Sequence, residues 1–200
     1  MTVHALLQKR DTTGLGLVAT AALSSACFGA AIGSYQGYPQ IVYAAAKMPI
    51  YFLGTLALSF MAMHIFAARD LRAAETFGVA LETVALTTVV LAALAPIEAL
   101  VSVSCPRRSH RAYSFLVLLL TGCVGAAGVC GVVRAYGRLG SVRLTAAWVL
   151  IYQFVGAQMA WLLRPWINDG LSGDRFLPLR DNLSGNFYEA VLQAFLGLLK

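Results

Sequence analysis

The sequence predicts an all-α polytopic membrane bundle of about five spanning helices, with a C-terminal amphipathic helix lying at the interface. Three observations carry the prediction. Only 12% of the 200 residues are charged and 59% are hydrophobic, whereas a soluble domain carries about 25% charged residues. The mean hydropathy is +0.73, and the apolar residues gather in long blocks, as lipid demands of a spanning segment. These blocks are rich in Gly, Ala and Leu and lack the strict alternation of a membrane β-strand. Residues 1–200 therefore read as a single integral membrane domain.

The blocks fall at about 16–35, 48–68, 77–102, 114–133 and 145–163. Each reaches or approaches the roughly 20 residues that cross a bilayer at 1.5 Å per residue. The first follows Lys9 and Arg10, as a secretory signal would. It has no clear small-x-small cleavage site ahead of a polar mature domain, so it reads as a retained helix. It carries Ala21, Ser25, Gly29 and Gly33 at steps of four, a face that lets another backbone approach closely. The third block is longer and holds Pro96, which predicts tilt, a kink or an early stop. The fourth holds Gly122, Gly125, Gly128 and Gly131 at steps of three. Each step turns the position by about −60°. Gly125 and Gly128 are thus expected to pack against neighbouring helices.

Tyr35, Tyr38, Tyr43 and Tyr51 flank the first hairpin, and Trp148, Trp161 and Trp166 bracket the last span. They read as aromatic belts at the two interfaces. Cys27, Cys123 and Cys130 fall within spans and Cys105 in a loop. With no CxxC and no regular spacing, they read as packing residues, not a disulfide framework or zinc site.

The net charge of +6 suits anionic membrane surfaces. It is spread over all the loops, with no basic stripe interleaved with aromatics, so no nucleic-acid site is expected. Lys9, Arg10, Arg69, Arg72, Arg134, Arg138 and Arg143 fall on the N-terminal side. Lys47, Arg107, Arg108, Arg111, Arg164, Arg175, Arg180 and Lys200 fall on the other, seven against eight. Setting aside Arg180 and Lys200, far beyond the last span, tips the balance toward a cytoplasmic N-terminus.

Ionisable residues inside spans are costly and mark candidate sites. His64 near the end of the second span and Glu82 near the start of the third are expected at similar depth. They form one candidate pair, with an interfacial His and a snorkelling Glu as the alternative. Lys47, Glu98 and Arg164 cluster toward the opposite side. Arg164 is either a head-group anchor or a counter-charge to Glu98. Gln158 is the polar group in the last span that needs a partner inside the bundle. Gln153 and Gln158 lie about 140° apart round a helix and do not form one polar stripe. Glu82 and Glu98 are separated by about 24 Å of helix, too far for a paired-carboxylate catalytic dyad.

No HExxH, GxSxG, P-loop or strand-linked GxGxxG occurs. The sequence predicts no catalytic residues, no cofactor and no metal. After Arg164 and Pro165 the chain turns to INDGLSGDRFLPLRDNLSG, which reads as loop. NFYEAVLQAFLGLLK follows, with Asn186 and Glu189 as a capping box. It reads as an interfacial helix over about 187–199; a sixth short span is the other reading.

YAAAKMPIYFLGTLAL (43–58), AALAPIEAL (92–100), FVGAQMAWLLRPW (154–166) and NFYEAV (186–191) together resemble a group of bacterial polytopic membrane proteins. That group is mostly uncharacterised, and some members carry names invoking actin binding, for which this chain has no suitable soluble amphipathic segment. The resemblance implies a bacterial inner-membrane protein and supplies no catalytic residues to carry over. In architecture alone the plan is similar to the five-span Yip-type proteins, a likeness that does not give function. The expected role is that of a non-enzymatic subunit or scaffold of a larger membrane assembly. Its partners would be lipids and other proteins, or a second copy through the small-residue faces. The alternative is a small ion or proton channel or transporter.

Overall fold

The computed structural model describes residues 14–35, 37–66, 73–105, 110–137 and 142–163, with Phe176, Tyr188, Glu189 and Leu192. Five long α-helices make up the fold, and no strand occurs among the described residues. They are α1 (Gly14–Gly33), α2 (Tyr38–Phe66), α3 (Ala73–Ser104), α4 (His110–Gly137) and α5 (Val142–Leu163). Among the described residues, four segments are long and apolar enough to cross a membrane: Gly14–Gly33, Tyr38–Ala62, Thr76–Ser104 and Ala146–Leu163. The 187–199 segment lies outside the described residues apart from Tyr188, Glu189 and Leu192.

Two helix boundaries differ from expectation for clear reasons. α2 starts at Tyr38, about a decade of residues before its apolar block. Pro39 sits in its first turn, where a missing N–H costs nothing and the fixed φ suits a helix. Gly37 precedes it with a φ of 112°, a conformation L side chains rarely adopt, and its carbonyl accepts from the amides of Gln40 and Ile41. In α3, Pro96 lies within the helix, which runs on to Ser104. One lost backbone donor is tolerated there because residues on both sides of Pro96 remain packed in the bundle.

α1 packs between α2 and α3; α5 lies on α2, α4 lies on α3, and α4 meets α5. The five helices thus form a ring in the order α1, α2, α5, α4, α3. Phe28, Met48, Leu56, Leu91, Val117 and Trp148 are buried at its centre. The outer surface carries large apolar side chains, with Leu23, Leu58, Leu100, Val103, Leu119 and Leu150 exposed. An apolar exterior suits hydrocarbon, where packing contacts rather than water exclusion hold helices together.

Polar side chains are mostly turned inward and satisfied within their own helix. Ser25 donates to the Ala21 carbonyl at 2.6 Å. Thr83 donates to Val79 at 2.9 Å and Thr87 to Thr83 at 2.8 Å. Ser59, Thr76 and Thr88 do likewise three residues back. Such back-bonding removes most of the penalty of placing a hydroxyl in a dry bundle.

Candidate functional site

At one end of the ring the hydroxyls leave this local pattern and tie three helices together. Ser102, in the last turn of α3, lies 3.2 Å from the Ala31 carbonyl of α1. The Tyr113 hydroxyl, from the first turn of α4, lies 2.7 Å from Ser102 Oγ and 3.3 Å from the Ile32 carbonyl. The Tyr113 ring stacks on Tyr35 at the end of α1, with centroids 4.0 Å apart and planes 15° from parallel. Glu98 sits one turn before Ser102 on α3. It is 2% exposed, its carboxyl lies beside the Tyr113 hydroxyl, and its Oε1 has no hydrogen-bond partner.

Lys47, on α2, is the other buried ionisable side chain at this end of α1, and it forms no ion pair with Glu98. Its Nζ lies over the Phe176 ring, 5.7 Å from the centroid. Tyr43, one turn earlier, meets the same ring edge-on at 5.5 Å. A residue beyond α5 therefore supplies the partner that sequence reasoning sought in a carboxylate. A cation over an aromatic face is a favourable pairing. Arg164 lies outside the described residues.

His64 and Glu82 are not brought together by a hydrogen bond or an ion pair. His64 stacks on Phe60 at 5.7 Å, and Phe60 meets Phe77 of α3 edge-on at 5.0 Å. Aromatic rings fill the place expected of the carboxylate, and His64 Nδ1 is buried with no hydrogen-bond partner. Gln158 is half-buried on α5 and makes no side-chain hydrogen bond among the described residues.

The small residues divide sharply. A Cβ at Gly29 would overlap the Ala44 carbonyl and fall 2.8 Å from Met48 Cγ; one at Gly33 would overlap the Gln40 carbonyl. Ser25 is buried on the same face. Gly128 faces Thr87, whose Oγ1 would lie 2.5 Å from an added Cβ. Gly125 differs from expectation: an added Cβ there would meet nothing within 4 Å. It walls a cavity of about 250 Å³ between α2, α3, α4 and α5. Tyr51, Thr83, Thr87, Tyr152 and Gln153 supply the polar part of the lining, and Gly122, Gly125 and Gly156 its glycine walls. Gly122 and Gly125 of α4 therefore leave space, while Gly128 closes on Thr87.

The aromatic belts also need correction. Trp148 is 2% exposed and packs on Tyr152 at 5.1 Å. Tyr35 is buried against Tyr113. Trp148 sits on the inward face of α5, and Tyr35, in the turn after α1, is covered by the Tyr113 ring. The four cysteines are free thiols, with Cys27, Cys123 and Cys130 exposed on the apolar exterior. Among the described residues no group of three or more His, Cys, Asp or Glu is placed to hold a metal ion.

Sequence reasoning missed Tyr113 and Ser102, and of the cavity lining it missed Thr83, Thr87 and Tyr152 while naming Gln153 and the glycines. Ser102 follows Glu98 by one turn, so their shared face was readable from spacing. Tyr113 falls just before the expected 114–133 span, and nothing local ties it to the end of α1. No protein-family model matches the chain, and neither curated proteins nor solved structures give a match.

Proposed function

We propose that the chain is a non-enzymatic integral membrane protein that serves as a subunit or scaffold of a larger membrane assembly. One observation carries this reading: the α4–α5 side of the ring is left unfilled. Gly122 is exposed on α4, and Gly125 has open space before it. The same two helices carry exposed apolar residues, Leu116 and Leu119 on α4 and Leu150 and Phe154 on α5. In hydrocarbon a small-residue face beside apolar side chains is where another helix packs with most contact. The reading takes all five helices as spans in a bacterial inner membrane, with the N-terminus cytoplasmic and 187–199 lying along the interface.

Purification of the full chain in a mild detergent, with mass determination, tests the proposal. A defined oligomer or a stoichiometric protein partner is expected. A free monomer that gains no partner on reconstitution would sink it.

A second reading, a small channel or transporter, is favoured by the same cavity and its Tyr, Thr and Gln lining. His64, Glu82 and Glu98 are absent from that lining, so the intramembrane charges do not continue it into a path. Ion or proton flux in liposomes that falls with Gln153→Ala would favour the second reading over the first.

A further inference from the structure

We propose that Glu98 is a proton-binding site, and that the proton it carries locks α4 to the C-terminal end of α1. The argument is a count of hydrogens. Around Glu98 the structure holds three close oxygen–oxygen contacts: Ser102 to the Ala31 carbonyl, Ser102 to Tyr113, and Tyr113 to the Ile32 carbonyl. A serine and a tyrosine own one hydroxyl hydrogen each, and carbonyls own none. Two hydrogens cannot fill three contacts and also serve the carboxyl beside Tyr113.

The neutral acid adds a third hydrogen, and the tyrosine's own hydrogen is then free for α1. Its O–H donates to Tyr113 Oη, the tyrosine hydroxyl donates onward to the Ile32 carbonyl, and Ser102 donates to Tyr113 or to the Ala31 carbonyl. The ionised form reverses the flow: a carboxylate takes the Tyr113 hydrogen for itself, as the strongest acceptor present. The link from α4 to α1 is then lost.

Three further facts favour the protonated form. Glu98 is 2% exposed, and its Oε1 has no partner; an unpaired carboxylate in a dry interior is neutralised instead of being kept charged. The carbonyls that Ser102 and Tyr113 contact belong to the C-terminal end of α1, where the helix dipole disfavours a negative charge nearby. Among the described residues the titratable groups at this end are Tyr113 from α4, Tyr35 just past α1 and Lys47 from α2. Of these, only Lys47 is cationic, and its ammonium is engaged with Phe176.

The test uses the full chain in detergent and in liposomes. Infrared spectra from mildly acidic to alkaline pH are expected to show the carbonyl stretch of a buried neutral carboxylic acid, absent in Glu98→Gln. Tyr113→Phe should keep that band and shift it to higher wavenumber, because the acid loses its acceptor. The unfolding temperature of the wild type should fall as pH rises and the proton is lost, and Glu98→Gln should remove that fall. The proposal is overturned if the acid band is missing at every pH, or if it survives Glu98→Gln. It is equally overturned if sodium chloride, compared with choline chloride, stabilises the wild type but not Glu98→Gln, because the site would then hold a metal cation.

Discussion

The two halves of the ring use the same residue for opposite ends. On the α1 side, Gly29 and Gly33 bring the α1 backbone against the carbonyls of Ala44 and Gln40. On the α4 side, Gly122 and Gly125 stand before empty space, and a cavity of about 250 Å³ lies between them and their neighbours. Glycine spacing announces that two surfaces can approach; it does not say that they do. What decides is the opposite face. α2 presents backbone and the slim end of Met48 to Gly29, whereas α3 and α5 present Thr83, Thr87 and Tyr152 to α4. Those side chains hold the helices apart.

Substitutions at matched glycines would break or sharpen this contrast. Gly29→Leu should be the most damaging, because the backbone of Ala44 cannot move aside as a side chain can. A loss on the order of 3 kcal/mol is expected from overpacking, read as a lowered midpoint of unfolding in mixed micelles. Gly128→Ala should cost about 1 kcal/mol. The atom in its way is the Thr87 hydroxyl, and the rotation that clears it sacrifices the bond to the Thr83 carbonyl. Gly125→Ala should stabilise the isolated chain by about 0.5–1 kcal/mol, since alanine is the better helix former and meets nothing. If Gly125→Ala proves as harmful as Gly29→Leu, the two halves are packed alike and the contrast fails. If it stabilises the isolated chain but weakens capture of a partner, the open face is where that partner sits.

The fold was legible to the extent that lipid dictates it. Length and apolarity gave the helical class and the approximate positions of the helices, because the bilayer allows few alternatives. The start of α2 was not legible, since Tyr38 to Lys47 mixes polar and small residues and its helicity rests on packing against α1. The Ser25, Gly29 and Gly33 face could be seen in the spacing, though not its partner. The candidate site was half legible. Glu98 and Lys47 stood out as charges at depth. Pairing them by sign overlooked Phe176 and Tyr113, aromatic residues that reach these charges only through the tertiary fold. Gly125 shows the same limit from another side: a vacancy is a property of neighbours, and the sequence of one helix does not contain it.

Gly37 has a consequence for how the protein is made. Its positive φ sets the turn between α1 and α2, and two close glycine contacts, Gly33 with Gln40 and Gly29 with Ala44, lie just to either side of it. Contacts so near in the chain close with little entropy and form early. The first two helices can therefore zip together outward from the turn while the ribosome is still synthesising α3. The insertion machinery then handles a finished hairpin, and each later helix docks on a surface that already exists.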